Sequence, residues 1–309
     1  MKYRLSIKRV VLAVAGLALL SFIILCYSVK FRISDDEVLE RIQGARVTID
    51  YLPFADRQIR NILVERENKT LLILLHGSPS SSAQWVPLVN DSLLSEKVDF
   101  LMIDRPGYGY SSFGNPILSV EKQTQGIQLA IRQYVDKYQK VVVFGTSYGG
   151  TIGARLLMDY PDLTDGALLM SSSMAPGEER IYKISYLIEK IPWLFPSLVV
   201  VANEEKMSHY DELKKMEPLW GHITSPVLFI HSTSDDLVYP GNIPFVLERL
   251  NANVKWDTLW VQDGEHSLYW SDRELVKSEL NGFVDTFAGV EEKYKAFEGK
   301  IPDQRSTRN

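Results

Sequence analysis

The stretch 140–159, KVVVFGTSYGGTIGARLLMD, constrains the fold of this chain more than any other. A β-branched run at 141–144 stops at Gly145, and a segment with helical apolar spacing begins near Tyr148. Between them, Gly145-Thr146-Ser147-Tyr148-Gly149 forms a G-x-S-x-G pattern. Strand, sharp turn, serine and helix in that order present a serine as a nucleophile. So tight a turn strains the backbone at the serine, and such strain survives only where the neighbours over-determine it. Positions two before and two after the serine must lack bulk, and here both are glycine. The helix behind aims its N-terminal amides and the positive end of its dipole at the serine. A five-residue pattern arises by chance; its flanking elements give this one meaning.

Apolar runs and helical segments alternate on either side. Val47, Ile49 and Tyr51 alternate from Arg46, and Ile59, Ile62 and Val64 follow a turn at 53–56. The run at 71–75, LLILL, reads as a strand buried on both faces and 98–103 as another buried strand, with further strands at 166–170, 227–230 and 254–260. Helices are expected at 84–94, 120–138 and 271–287. The alternation implies a mostly parallel sheet covered by helices on both faces. Residues 172–224 break the rhythm, with no strand signal. Ile181, Ile184, Ile188 and Ile191 recur at helical spacing, and Trp193-Leu194-Phe195-Pro196 leads into an apolar run ending at Val201. This reads as a small helical cap inserted where an active-site lid would sit, its apolar stripe to be buried in the core by default, or else in the substrate pocket or at a bilayer interface.

The N-terminus has its own signature. Residues 1–9 carry Lys2, Arg4, Lys8 and Arg9, and 10–29 hold twenty residues without a charge. A helix of that length spans about 30 Å, enough for a bilayer core. The length favours an uncleaved transmembrane signal-anchor helix over a cleavable signal peptide. Positive charge is heavier before the stretch than after it, which places the N-terminus in the cytoplasm and the large domain outside, periplasmic or extracellular in a bacterium. The expected organisation is a basic segment (1–9), an anchor (10–29), a connector (30–45), a main domain (46–290) and a polar tail (291–309). A net charge of −5 without a dense basic patch argues against nucleic acid as a partner. Cys26 is the single cysteine, so no intramolecular disulfide forms. No Cys/His spacing suggests zinc, and neither a metal nor an organic cofactor is implied.

Three further stretches complete the pattern: His76-Gly77-Ser78-Pro79 after 71–75, the DRPGYGYS of 104–111 after 98–103, and acidic and histidine-bearing loops late in the chain. With the serine turn they resemble the α/β-hydrolase superfamily, in its serine-nucleophile, esterase- and lipase-like branch, over about 46–287. The resemblance implies an α/β-hydrolase fold with a small helical cap, here preceded by the transmembrane helix. It also implies a triad in the chain order serine, acid, histidine. Ser147 is then the nucleophile, and His266, in the loop after the last strand, is the base. The acid falls in the turn after 227–230, where Asp235 fits best. Asp236 is the alternative, because Ser232 stands where the family often has glycine. The backbone N–H groups of Ser78 and Tyr148 are the implied oxyanion donors. The expectation is a membrane-anchored serine hydrolase acting on a small apolar ester or ester-like acyl substrate. An aminopeptidase, a thioesterase, a carbon–carbon bond hydrolase and a non-catalytic binding protein are the alternatives. Aminopeptidases of this fold tend to carry HGGPG and GGSWG, which HGSPS and GTSYGG match less well.

Overall fold

Period-two alternation inside the apolar runs sends side chains to opposite faces of one sheet. Leu71, Ile73 and Leu75 join Val141 and Val143 in one hydrophobic cluster. Leu72 and Leu74 join Val142 and Phe144 in another, on the far face. The computed structural model describes residues 31–287, together with 8–10, 13, 14, 16, 17, 20 and 21. Its strands are β1 (Arg46–Phe54), β2 (Arg57–Glu65), β3 (Thr70–Leu75), β4 (Val98–Ile103), β5 (Lys140–Thr146), β6 (Gly166–Met170), β7 (Val227–Ser232) and β8 (Trp256–Val261). They form one eight-stranded sheet in the order β1-β2-β4-β3-β5-β6-β7-β8. The pairs β1–β2 and β2–β4 are antiparallel, and the remaining pairs are parallel. This is the mostly parallel, doubly covered sheet expected from the alternation.

Among the helices are α1 (Asp35–Arg41), α2 (Val120–Arg132), α3 (Tyr148–Asp159), α4 (Lys183–Lys190), α5 (Ser197–Met216) and α6 (Arg273–Asp285). The helix expected at 84–94 is instead three short turns, Ser82–Trp85, Val86–Val89 and Ser92–Ser95. Pro87 suits only a first helical turn, and Asp91 restarts the chain by accepting the Leu94 amide. The stretch read as a connector carries α1, which is closed by a capping box between Ser34 and Glu37. Ile33, Val38 and Ile42 bury themselves in the second hydrophobic cluster.

The expected transmembrane helix is corrected. Among the described residues, no helix is long and apolar enough to cross a membrane. A span needs about twenty consecutive apolar helical residues, and between 10 and 29 the described residues occur only as Val10 and the pairs 13–14, 16–17 and 20–21. The other positions of that stretch lie outside the described residues.

The cap also differs from its sequence reading. Of the isoleucine stripe only Ile188 is buried, and Trp193 is 81% exposed. Helix α5 forms the inner layer instead, with Leu198, Val201, Leu213 and Met216 buried. Helix α4 lies on α5, tied to it by the Asn203 side-chain amide donating to Ser185 O at 3.1 Å. Only Ile184 and Ile188 of the four isoleucines lie on α4, with Ile181 before it and Ile191 after it, so the stripe is broken and only partly covered.

Candidate active site

The carboxyl ends of β5, β7 and β8 converge on one crevice. Ser147 follows β5 directly and precedes α3, with φ 51° and ψ −122°. A left-handed φ on a non-glycine residue is strained, and the surroundings hold it there. The Ser147 amide donates to Met170 O at 2.9 Å on the neighbouring strand. A Cβ on Gly145 would lie 2.6 Å from Gly149 O, and one on Gly149 would lie 2.3 Å from Leu75 O. Nothing larger than glycine fits at either position.

His266 lies in the loop after β8, and Asp235 in the turn after β7. His266 Nε2 is 3.1 Å from Ser147 Oγ, and its Nδ1 is 2.7 Å from Asp235 Oδ2. The second carboxylate oxygen of Asp235 accepts the amides of Leu237 at 3.0 Å and Val238 at 2.9 Å. Burial would raise the pKa of this carboxyl, but the His266 hydrogen bond and charge, with those two amides, outweigh it and hold it below the ordinary value. An ionised carboxylate only accepts, so Nδ1 carries the proton and Nε2 presents its lone pair to Ser147. The structure thus brings Ser147, Asp235 and His266 together. It does not bring Asp236: that side chain is 75% exposed and paired with Arg180 at 2.6 Å.

Of the two backbone donors named from the sequence, Tyr148 opens α3, where helix geometry gives its amide no intrahelical acceptor. Ser78 borders the same crevice, and a Cβ on the adjoining Gly77 would lie 3.1 Å from Ser147 Cβ. Two cavities meet at Ser147. One, of about 370 Å³, runs past His266 toward Phe31 and Trp270. The other, of about 270 Å³, lies under the cap, where Ile184, Ile188 and Val199 share the lining with Glu179 and Lys206. Burial lowers the Lys206 pKa, against the opposing pull of Glu179. Among the described residues, no group of three or more acidic, histidine or cysteine side chains could hold a metal ion.

Sequence reasoning missed a buried network beside the crevice. Arg105, in the loop after β4, pairs with Glu205 of α5 at 2.7 Å, and both side chains are fully buried. Tyr108 OH donates to Glu205 Oε2 at 2.6 Å and lies 2.6 Å from Ser78 Oγ. The DRPGYG motif hinted at Arg105, but nothing marked Glu205, a charge among several in a helix without a clear apolar face. His76 belongs to the same network: burial first, then the Arg105 charge, pushes its pKa far down, so it is neutral. His209 is buried on α5 against the Tyr148 ring at 4.5 Å, and burial lowers its pKa too.

Comparison with known proteins bears on the fold. Residues 70–206 match the family described as alpha/beta hydrolase fold. The chain is 26% identical over 133 residues to a proline iminopeptidase of Lactobacillus crispatus, covering 42% of this chain and 45% of that protein. It is 30% identical over 107 residues to a pimeloyl-[acyl-carrier protein] methyl ester esterase of Proteus mirabilis, covering 35% of this chain and 38% of that protein. In these matches the chain spans less than half the length of either curated relative. Among solved structures, a monoacylglycerol lipase of Paleococcus ferrophilus superposes with a TM-score of 0.61 at 17% identity, over 74% of this chain and 98% of that one. At that identity the likeness speaks for the fold alone.

Proposed function

We propose, for a chain that belongs to the α/β-hydrolase superfamily, that it is a serine hydrolase cleaving carboxylic esters through an acyl-enzyme on Ser147. The observation that carries this reading is the relay Ser147 Oγ, His266 Nε2, His266 Nδ1, Asp235 Oδ2, with links of 3.1 and 2.7 Å. His266 takes the hydroxyl proton as Ser147 attacks the carbonyl carbon, then returns it to the leaving alkoxide. Asp235 keeps the imidazole in the required tautomer and stabilises the imidazolium. The amides of Tyr148 and Ser78 receive the developing oxyanion, and removing one such donor typically costs about 2.7–4 kcal/mol of barrier. Water activated by His266 then releases the acid. The two cavities meeting at Ser147 suit the two halves of an ester.

A second reading is release of an N-terminal residue from a peptide. It draws on the iminopeptidase relatives and on Glu179, whose carboxylate lines the cap-side cavity where a free amine could be held. The test is labelling with a fluorophosphonate probe, wild type beside Ser147→Ala, followed by turnover of p-nitrophenyl esters and of aminoacyl p-nitroanilides. Labelling of wild type alone, with ester turnover, is the expected result. Undiminished labelling of the alanine variant would falsify the nucleophile assignment, and turnover of anilides alone would favour the second reading.

A further inference from the structure

The Arg105–Glu205 pair uses every polar atom it has. Arg105 Nε donates to His76 O at 2.9 Å, and Nη1 donates to Gln123 Oε1 at 3.0 Å and Glu205 Oε1 at 2.7 Å. Nη2 donates to Gly77 O at 3.2 Å and Glu205 Oε2 at 3.1 Å. All five guanidinium N–H bonds are therefore engaged. Glu205 accepts two donors on each oxygen: Arg105 and Gln123 on Oε1, and Arg105 and Tyr108 on Oε2. The Arg105 amide also donates to His76 Nε2 at 2.9 Å, so the His76 proton sits on Nδ1 and points at Gly77 O, 2.8 Å away.

Proton direction follows from the charge. A carboxylate can only accept, so the Tyr108 hydroxyl donates to Glu205. Its oxygen is then the acceptor for Ser78, whose hydroxyl must donate to Tyr108. With the Ser78 hydroxyl turned to Tyr108, only its backbone amide is left for the crevice. The carbonyls of His76 and Gly77, the two residues before that amide, are held by Arg105.

We propose that Glu205 of the cap is a positioning residue for the oxyanion loop. Acting through Arg105 and Tyr108, it sets the direction of the Ser78 amide. The cap then does more than cover the crevice: its inner helix fixes the part of the core that receives the transition state. This rests on the serine-hydrolase reading above. Glu205 itself touches no reacting atom, because Tyr108 and Arg105 stand between.

The experiment compares wild type, Glu205→Gln and Tyr108→Phe in the full chain. Glu205→Gln removes the charge that orders all four donors, while Tyr108→Phe removes one hydroxyl and keeps the ring. For each, the fluorophosphonate labelling rate, kcat and KM on a p-nitrophenyl ester, and the inhibition constant of an arylboronic acid are measured. Misdirecting one oxyanion donor should lower kcat, labelling rate and boronate affinity together, by about 10²-fold for Glu205→Gln, in the range seen when such a donor is lost. Tyr108→Phe should show the same pattern at about tenfold, with KM within about twofold, since ground-state binding is untouched. A purely structural role would lower the melting temperature and leave these ratios alone. If Glu205→Gln does not fold, Tyr108→Phe decides by itself. Folded Tyr108→Phe with wild-type kcat and boronate affinity overturns the positioning role, while the Ser147 assignment stands. Wild type that neither labels nor turns over ester overturns both.

Discussion

At the scale of single residues, adjacent aspartates have opposite fates. Asp235 faces inward because the Leu237 and Val238 amides pull its carboxylate into the turn, and Asp236 is left to solvent beside Arg180. Asp235→Asn should lower kcat by about 10⁴-fold through the wrong imidazole tautomer. Asp236→Asn loses an exposed pair worth at most about 1 kcal/mol and should leave kcat within about twofold. The same carboxyl leaves a mark on stability. Its folded pKa lies below the ordinary 3.8, so its contribution is fully present above that value and disappears as pH falls through the lower folded one. Acid titration of denaturant midpoints should therefore show a shallower loss below pH about 4 in Asp235→Asn than in wild type. A reversed order of the two kcat effects would move the acid to Asp236.

Among the elements, the cap departs most from its periodicity. Ile188 lines the cavity under the cap, whereas Trp193 stands in solvent. In a p-nitrophenyl ester series from acetate to hexanoate, kcat/KM should rise by up to about fourfold per buried methylene, the equivalent of about 0.8 kcal/mol each. Ile188→Ala should flatten that rise, and Trp193→Ala should leave it unchanged. A flat series in wild type would mean that Glu179 and Lys206, rather than the apolar wall, choose the substrate.

For the molecule as a whole, the question is how an inserted cap is fastened. The buried ion pair is one fastening; the other is apolar. Trp220, in the turn Glu217–His222 that returns the chain from α5 to β7, is fully buried in the same cluster as Val143, Leu169 and Phe229. Trp220→Ala should cost about 3–5 kcal/mol, which for a domain of this size lowers the melting temperature by roughly 6–20 °C. Calorimetry of the folded variant checks it, and a shift of under about 3 °C would show that the cap and sheet do not melt as one unit.

The inner strands were legible in the sequence because strands buried on both faces admit little but apolar residues, and the edge strand β1 through its alternation. The strained serine turn was legible for a similar reason: steric exclusion at Gly145 and Gly149 leaves one residue type at each. The chain order of Ser147, Asp235 and His266 followed from the family resemblance, which favoured Asp235 but left Asp236 open, since adjacent aspartates differ only in which way a turn faces them. The place of α5 was hidden, because an inner cap helix that also buries Asn203, Glu205, His209 and Glu212 has no clean apolar stripe. Glu205 meets Arg105 across a hundred positions of chain, and no local pattern announces a contact that distant. Composition and spacing alone thus determined the layered sheet and the serine lifted above it, through short-range sterics and hydrophobic period. Which aspartate meets His266, and which cap residue meets Arg105, was decided only when the tertiary fold buried particular charges beside their partners.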